Sequence, residues 1–80
     1  MTIKKDTVMI FRADATNALK ATNEIDNVDY TYTSIFESIV LVSFATKDQW
    51  EYADYDKSRK EVEKILKKYN IGFKYKKFVY

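Results

Sequence analysis

Residues 38–45 read SIVLVSFA, the most hydrophobic stretch of this chain, and its two sides decide the fold. In an extended chain successive side chains point to opposite faces, so Val40, Val42 and Phe44 oppose Ile39, Leu41 and Ser43. Both sides are apolar, which marks a central strand flanked on either side. Upstream, residues 28–33 (VDYTYT) alternate and are rich in Tyr and Thr, a second strand, and residues 34–37 supply the turn between the two. Residues 7–13 (TVMIFRA) form a dense run of strand length, with Val8, Ile10 and Arg12 opposite Thr7, Met9 and Phe11. Between these strands lies DATNALKATNEID (14–26), where Asp14 is a good N-cap and Ala15, Ala18, Leu19, Thr22 and Ile25 recur at helical spacing.

Downstream, TKDQWEYADYD (46–56) is ambiguous, with capping pairs open at Thr46–Gln49 and at Ser58–Glu61. The reading adopted is a short irregular or helical lead-in, then a main helix over residues 56–70 with an apolar stripe of Val62, Ile65, Leu66 and Tyr69. Gly72 stands where a left-handed residue ends the helix. FKYKKFVY (73–80) is the last strand: Phe73, Tyr75, Lys77 and Val79 share one side, Lys74, Lys76, Phe78 and Tyr80 the other. The order is β-α-β-β-α-β in one domain, residues 1–80. With right-handed crossovers this predicts an α+β, ferredoxin-like sandwich: a four-stranded antiparallel sheet, order 4-1-3-2, with two helices on one face. The other face would then hold Val8, Ile10, Ile39 and Leu41. An apolar face of this kind calls for a cover: a homodimer or docked partner, or, alternatively, the terminal segments or residues 46–56.

Composition narrows the function. Eighty residues bury only about 60% of their unfolded surface, and the absence of Cys removes disulfide and thiolate metal chemistry. Seven Tyr, five Phe and one Trp nonetheless allow a real core. The start, MTIKKDTVMIF, lacks a long apolar run and a small-residue cleavage site, so no signal peptide is expected. No stretch reaches the ~20 apolar residues of a membrane span, and a cytoplasmic protein with no membrane partner is expected. There is also no His, so the commonest general base is missing together with the cysteine nucleophile. A glycine-rich phosphate loop is ruled out by a single glycine. The acids Asp48, Glu51, Asp54 and Asp56 match no metal loop and read as a solvated face. No cofactor and no enzymatic activity are expected.

The charge, by contrast, is sorted. Residues 21–56 hold eight acidic side chains and one lysine, and residues 57–80 hold nine Lys/Arg and two Glu, so blocks of −7 and +7 hide inside a net +2. Fields of this kind select partners. The candidate nucleic-acid-binding residues are Lys57, Arg59, Lys60, Lys64 and Lys68 on the main helix, with Lys74, Lys76, Lys77, Phe78 and Tyr80 on the last strand. Cations interleaved with aromatics suit single-stranded RNA, while a lysine-rich helix is also an ordinary solvated face and edge lysines also deter aggregation. The candidate protein interface is Val8, Ile10, Ile39 and Leu41 on the sheet with Trp50 and Tyr52 in WEYADY (50–55). Trp and Tyr are the types enriched at hot spots, and Trp50 and Tyr55 also suit a core.

Two resemblances bear on this. Residues 37–44 (ESIVLVSF) followed by ATKDQ resemble the end of the third strand of the RNA-recognition module, where V-x-F precedes a polar helix start. The topology implied is the same β-α-β-β-α-β order. The ring positions, however, fall on Ile39, Leu41 and Met9, and the usual Lys/Arg-Gly opening is Glu37-Ser38, so base stacking on a central aromatic platform is not expected. The composition as a whole (TIKKD early, KEVEKILKKYN and KYKKF late, with twelve Lys to two Arg) is similar to small accessory proteins of large T4-like phages. That resemblance implies a non-catalytic inhibitor of a host defence or toxin protein, in the host cytoplasm, that binds RNA or a ribonucleoprotein through its basic C-terminal surface. The alternative is a pure protein-protein inhibitor or homodimeric adaptor acting through the open sheet face and the 50–55 region.

Overall fold

The alternation of residues 39–44 becomes the strand at the middle of the sheet. In the computed structural model, which describes residues 7–13 and 16–77, the elements are β1 (Thr7–Arg12), α1 (Thr16–Ile25), β2 (Thr31–Phe36), β3 (Ile39–Phe44), α2 (Tyr55–Lys68) and β4 (Lys74–Lys77). All pairings are antiparallel and the strand order is β2-β3-β1-β4, the expected 4-1-3-2 read from the other edge. Met9 lies opposite Val42 and Tyr75, and Phe11 opposite Val40. These side chains share one face of the sheet, and both helices pack there. Met9, Phe11, Val40, Val42 and Phe44 are buried with Ala18, Ala21, Ile25, Val62 and Leu66. The small Ala18 and Ala21 leave room for α1 to lie close, and Val62 and Leu66 anchor α2.

Local chemistry sets the ends of α2. Asp54 is extended (φ −126°, ψ 97°) and its side chain accepts from the Lys57 amide at 3.2 Å, the N-cap bond. The helix therefore starts on Asp54, not on either pair weighed from the sequence. Gln49 does accept from the Thr46 amide at 3.1 Å, but the Thr46 hydroxyl is buried without a partner and the chain makes only one turn there. At the other end Asn70, not Gly72, takes the left-handed position (φ 57°). The Ile71 amide bonds to the Leu66 carbonyl at 2.9 Å and the Asn70 amide to that of Lys67 at 3.0 Å, the paired bonds of a Schellman cap. Asn tolerates this region better than other non-glycine residues, and Gly72 has no positive φ.

Two further expectations are corrected. The second strand runs to Phe36, and Phe36 pairs with Ile39, so the hairpin turn is only Glu37-Ser38 rather than residues 34–37. Glu37 adopts φ 55° to make it. Leu19 faces solvent, and Ala21 takes its place on the stripe Ala18, Ala21, Thr22, Ile25. Asp14 and Ala15, and the end of the last strand with Phe78, Val79 and Tyr80, lie outside the described residues.

Candidate functional site

Helical periodicity fixes which cations α2 shows. With 100° per residue, Lys57, Lys60, Lys64, Lys67 and Lys68 fall within one arc opposite buried Val62 and Leu66, and all five are exposed. Lys57, Lys60, Lys64 and Lys67 make no ion pair among the described residues. The sequence reading omitted Lys67, although its place seven residues after Lys60 put it on this arc. Arg59, also a candidate from the sequence, stands three residues before Val62 and seven before Leu66 and so turns inward. The Arg59 guanidinium sits 3.0 Å from Glu63 and 3.8 Å from Asp56, and Glu63 also accepts from the Tyr75 hydroxyl. This network ties α2 to β4. Burial, with the bond to Glu63, pushes the Tyr75 hydroxyl well above the usual tyrosine range. Arg59 is thus engaged with Glu63 and Asp56 and stands apart from the exposed lysine row.

Lys68 is in part committed as well, lying 3.1 Å from Glu24 of α1, whose carboxylate also accepts from the Tyr69 hydroxyl. The Tyr69 bond, then Lys68, hold the Glu24 carboxyl below its ordinary value. The charged form is therefore favoured by folding, and this contribution is present above pH 4.5 and lost as pH falls through the lowered value. At its other end the row meets acids. Lys57 shares a cleft of about 250 Å³ with Asp29, Asp54, Glu61, Tyr30 and Tyr52, so positive potential concentrates on Lys60, Lys64 and Lys67. Among the described residues no group of three or more His, Cys, Asp or Glu is arranged to hold a metal ion.

The remaining candidates are dispersed. Lys77 is exposed and belongs to the Tyr75 side of β4, whereas Lys74 and Lys76 lie on the opposite face, in register with Ile10 and Val8. The structure thus divides the cations into a helix row and a sheet-edge pair. On that open face Ile39 is 40% exposed and Leu41 and Ile10 are half-buried. Val8, between Ser43 and Lys76 in its row, is buried and offers little contact area. Two rings that the sequence did not place on this face join it: Tyr32 at 52% exposure and Phe36 at 69%. The register of the hairpin reveals them, and only a correct turn position could have done so beforehand. Trp50 is 53% exposed and its indole donates to the Tyr32 hydroxyl at 2.8 Å, so the ring lies at the rim of the sheet and not in the core. Tyr52 is exposed and Tyr55 packs against the core, edge-on to Phe44.

Comparison with protein families, with curated proteins and with solved structures gives no match for this chain.

Proposed function

We propose that this chain is a non-catalytic binding protein that takes RNA, alone or within a ribonucleoprotein, on the outer face of α2, and that it inhibits a host protein by occupying it. The observation that carries this reading is the row Lys57, Lys60, Lys64, Lys67 and Lys68, one lysine or more per 5.4 Å turn. Like-charge pairs such as Lys60–Lys64 cost roughly 0.2–0.5 kcal/mol each, and an anionic ligand would relieve them. Lysines attract phosphate rather than read bases, so affinity for single strands is expected to vary little with sequence. It should fall with salt at a log–log slope approaching about −3.5 if all five lysines engage. Reversing Lys60, Lys64 and Lys67 to Glu should abolish binding in a fluorescence-anisotropy titration, while reversing Lys74 and Lys76, on the other side of the sheet, should leave it nearly intact. No binding of a single-stranded oligonucleotide at low salt would end the RNA reading.

A second reading is favoured by the exposure of Trp50 and Tyr52 beside the cleft: docking on a basic protein without nucleic acid. Capture of the same target from a nuclease-treated lysate, unaffected by the lysine reversals and lost with Trp50→Ala, would establish it in place of the first.

A further inference from the structure

We infer that the open sheet face is the contact between two copies of this chain, laid face to face about a two-fold axis parallel to the strands. The register writes the face as three rows: Tyr32, Ser43, Val8 and Lys76; Ser34, Leu41, Ile10 and Lys74; and Phe36, Ile39 and Arg12. Every row runs from an uncharged residue on β2, through the centre, to a cation. On the β2 side acids outnumber cations, three to the one of Lys47. Glu37 is exposed at the hairpin tip, and Asp48 and Glu51 are exposed in the turn that the Trp50–Tyr32 bond holds against β2.

This lateral polarity selects the occupant. Half a turn about the boundary between β3 and β1 exchanges β2 with the second copy's β4, and β3 with its β1. Leu41 of each copy then meets Ile10 of the other. The acid-flanked aromatic edge meets the lysine edge, and it does so twice, as an isologous contact requires. A tyrosine ring facing lysines adds a cation–π component. Two-fold packing about an axis across the strands would instead set lysine edge on lysine edge, and like-charge repulsion disfavours it. Face-to-face sheets pack at about 10 Å with strand directions within about 30°, a range that keeps each edge over its opposite. A standard interface removes about 800 Å² from each partner, roughly one seventh of the 5892 Å² surface of this chain, in keeping with one broad face of a body 35 × 26 × 20 Å. The dimer leaves α2 outward on both copies, so this inference stands or falls independently of the RNA reading.

Sedimentation equilibrium on the full chain tests it. A dimer is expected, and Ile39→Lys should weaken it by about 100-fold or more, because it places an uncompensated charge at the contact; Leu41→Lys should do the same. Ile39 is already 40% exposed, so its substitution should leave the far-ultraviolet spectrum unchanged. Two charge reversals, Lys74→Glu with Lys76→Glu in one chain and Asp48→Lys with Glu51→Lys in another, should each weaken the homodimer, and an equal mixture should restore a heterodimer. A monomer at high micromolar concentration overturns the inference and leaves the face to a partner of other chemistry. A dimer indifferent to both lysine substitutions, or a mixture that fails to associate, overturns it as well.

Discussion

On one side of the sheet Phe11, Val40, Val42 and Phe44 are sealed beneath two helices, while on the other Tyr32, Phe36 and Ile39 remain open to solvent. The residue types are alike: Ile39 alternates with Val40, Val42 and Phe44 along β3, and Tyr32 and Phe36 lie beside it on the edge strand β2. The difference lies in what the connections lay over them: both crossovers pass on one side, as a right-handed chain requires, so the second side receives no element among the described residues. Apolar side chains left in solvent there contribute little to the stability of a single chain.

That contrast is most directly broken with two phenylalanines. Phe11→Ala should cost about 3–5 kcal/mol, whereas Phe36→Ala, at 69% exposure, should fall within about 0.5 kcal/mol; urea unfolding at a concentration where the chain is monomeric measures both. Similar losses would mean that the open face is covered within the chain. The covered face depends in turn on α2 being seated. Asp54→Ala removes the N-cap bond and should cost about 1 kcal/mol, visible as a lower denaturation midpoint with an unchanged slope.

A third experiment sharpens the comparison through pH. Tyr75, Tyr55 and Tyr69 all titrate above their ordinary 10.0 in the folded chain, Tyr75 and Tyr55 mainly through burial and Tyr69 mainly through its bond to Glu24. Their contribution is complete below pH 10, where both states hold the neutral phenol. Above it the unfolded chain ionises first, so stability falls as pH rises toward the folded values. Tyr75→Phe should cost about 1 kcal/mol at neutral pH and should make the alkaline decline shallower. An unaltered decline would show that Tyr75 is not enclosed between α2 and β4. The smallest effect is expected at the hairpin tip, where Glu37→Gly exchanges the strain of φ 55° for chain entropy, a net gain of a few tenths of a kcal/mol at roughly equal opposing terms.

Much of this architecture was legible because alternation and helical spacing are properties of neighbouring residues. The doubly apolar run at 39–44 identified a central strand, and Val62, Ile65, Leu66 and Tyr69 identified the buried side of α2. Turns were less legible because they depart from the usual chemistry. A two-residue hairpin turn ordinarily asks for Gly or Asn, and nothing in Glu37-Ser38 announces one. Gly72 drew the helix end to itself, although Asn70 stood closer and could adopt the same backbone. In the candidate site the charge block was legible but its presentation was not. Arg59 and Lys67 were distinguishable by phase alone, whereas the pairing of Lys68 with Glu24 joins residues 44 apart in sequence and is written only in three dimensions.

The two outer strands carry unequal defences. β4 is KYKK, and its lysines make the approach of a foreign strand electrostatically unfavourable. β2, TYTSIF, has no charged residue and no proline, and every position in it tolerates an extended ladder. Misassembly under heat or crowding should therefore begin at residues 31–36. It should also stop early: once two such borders have zipped together, only lysine-guarded borders remain outside, and the aggregate has no welcoming end from which to grow.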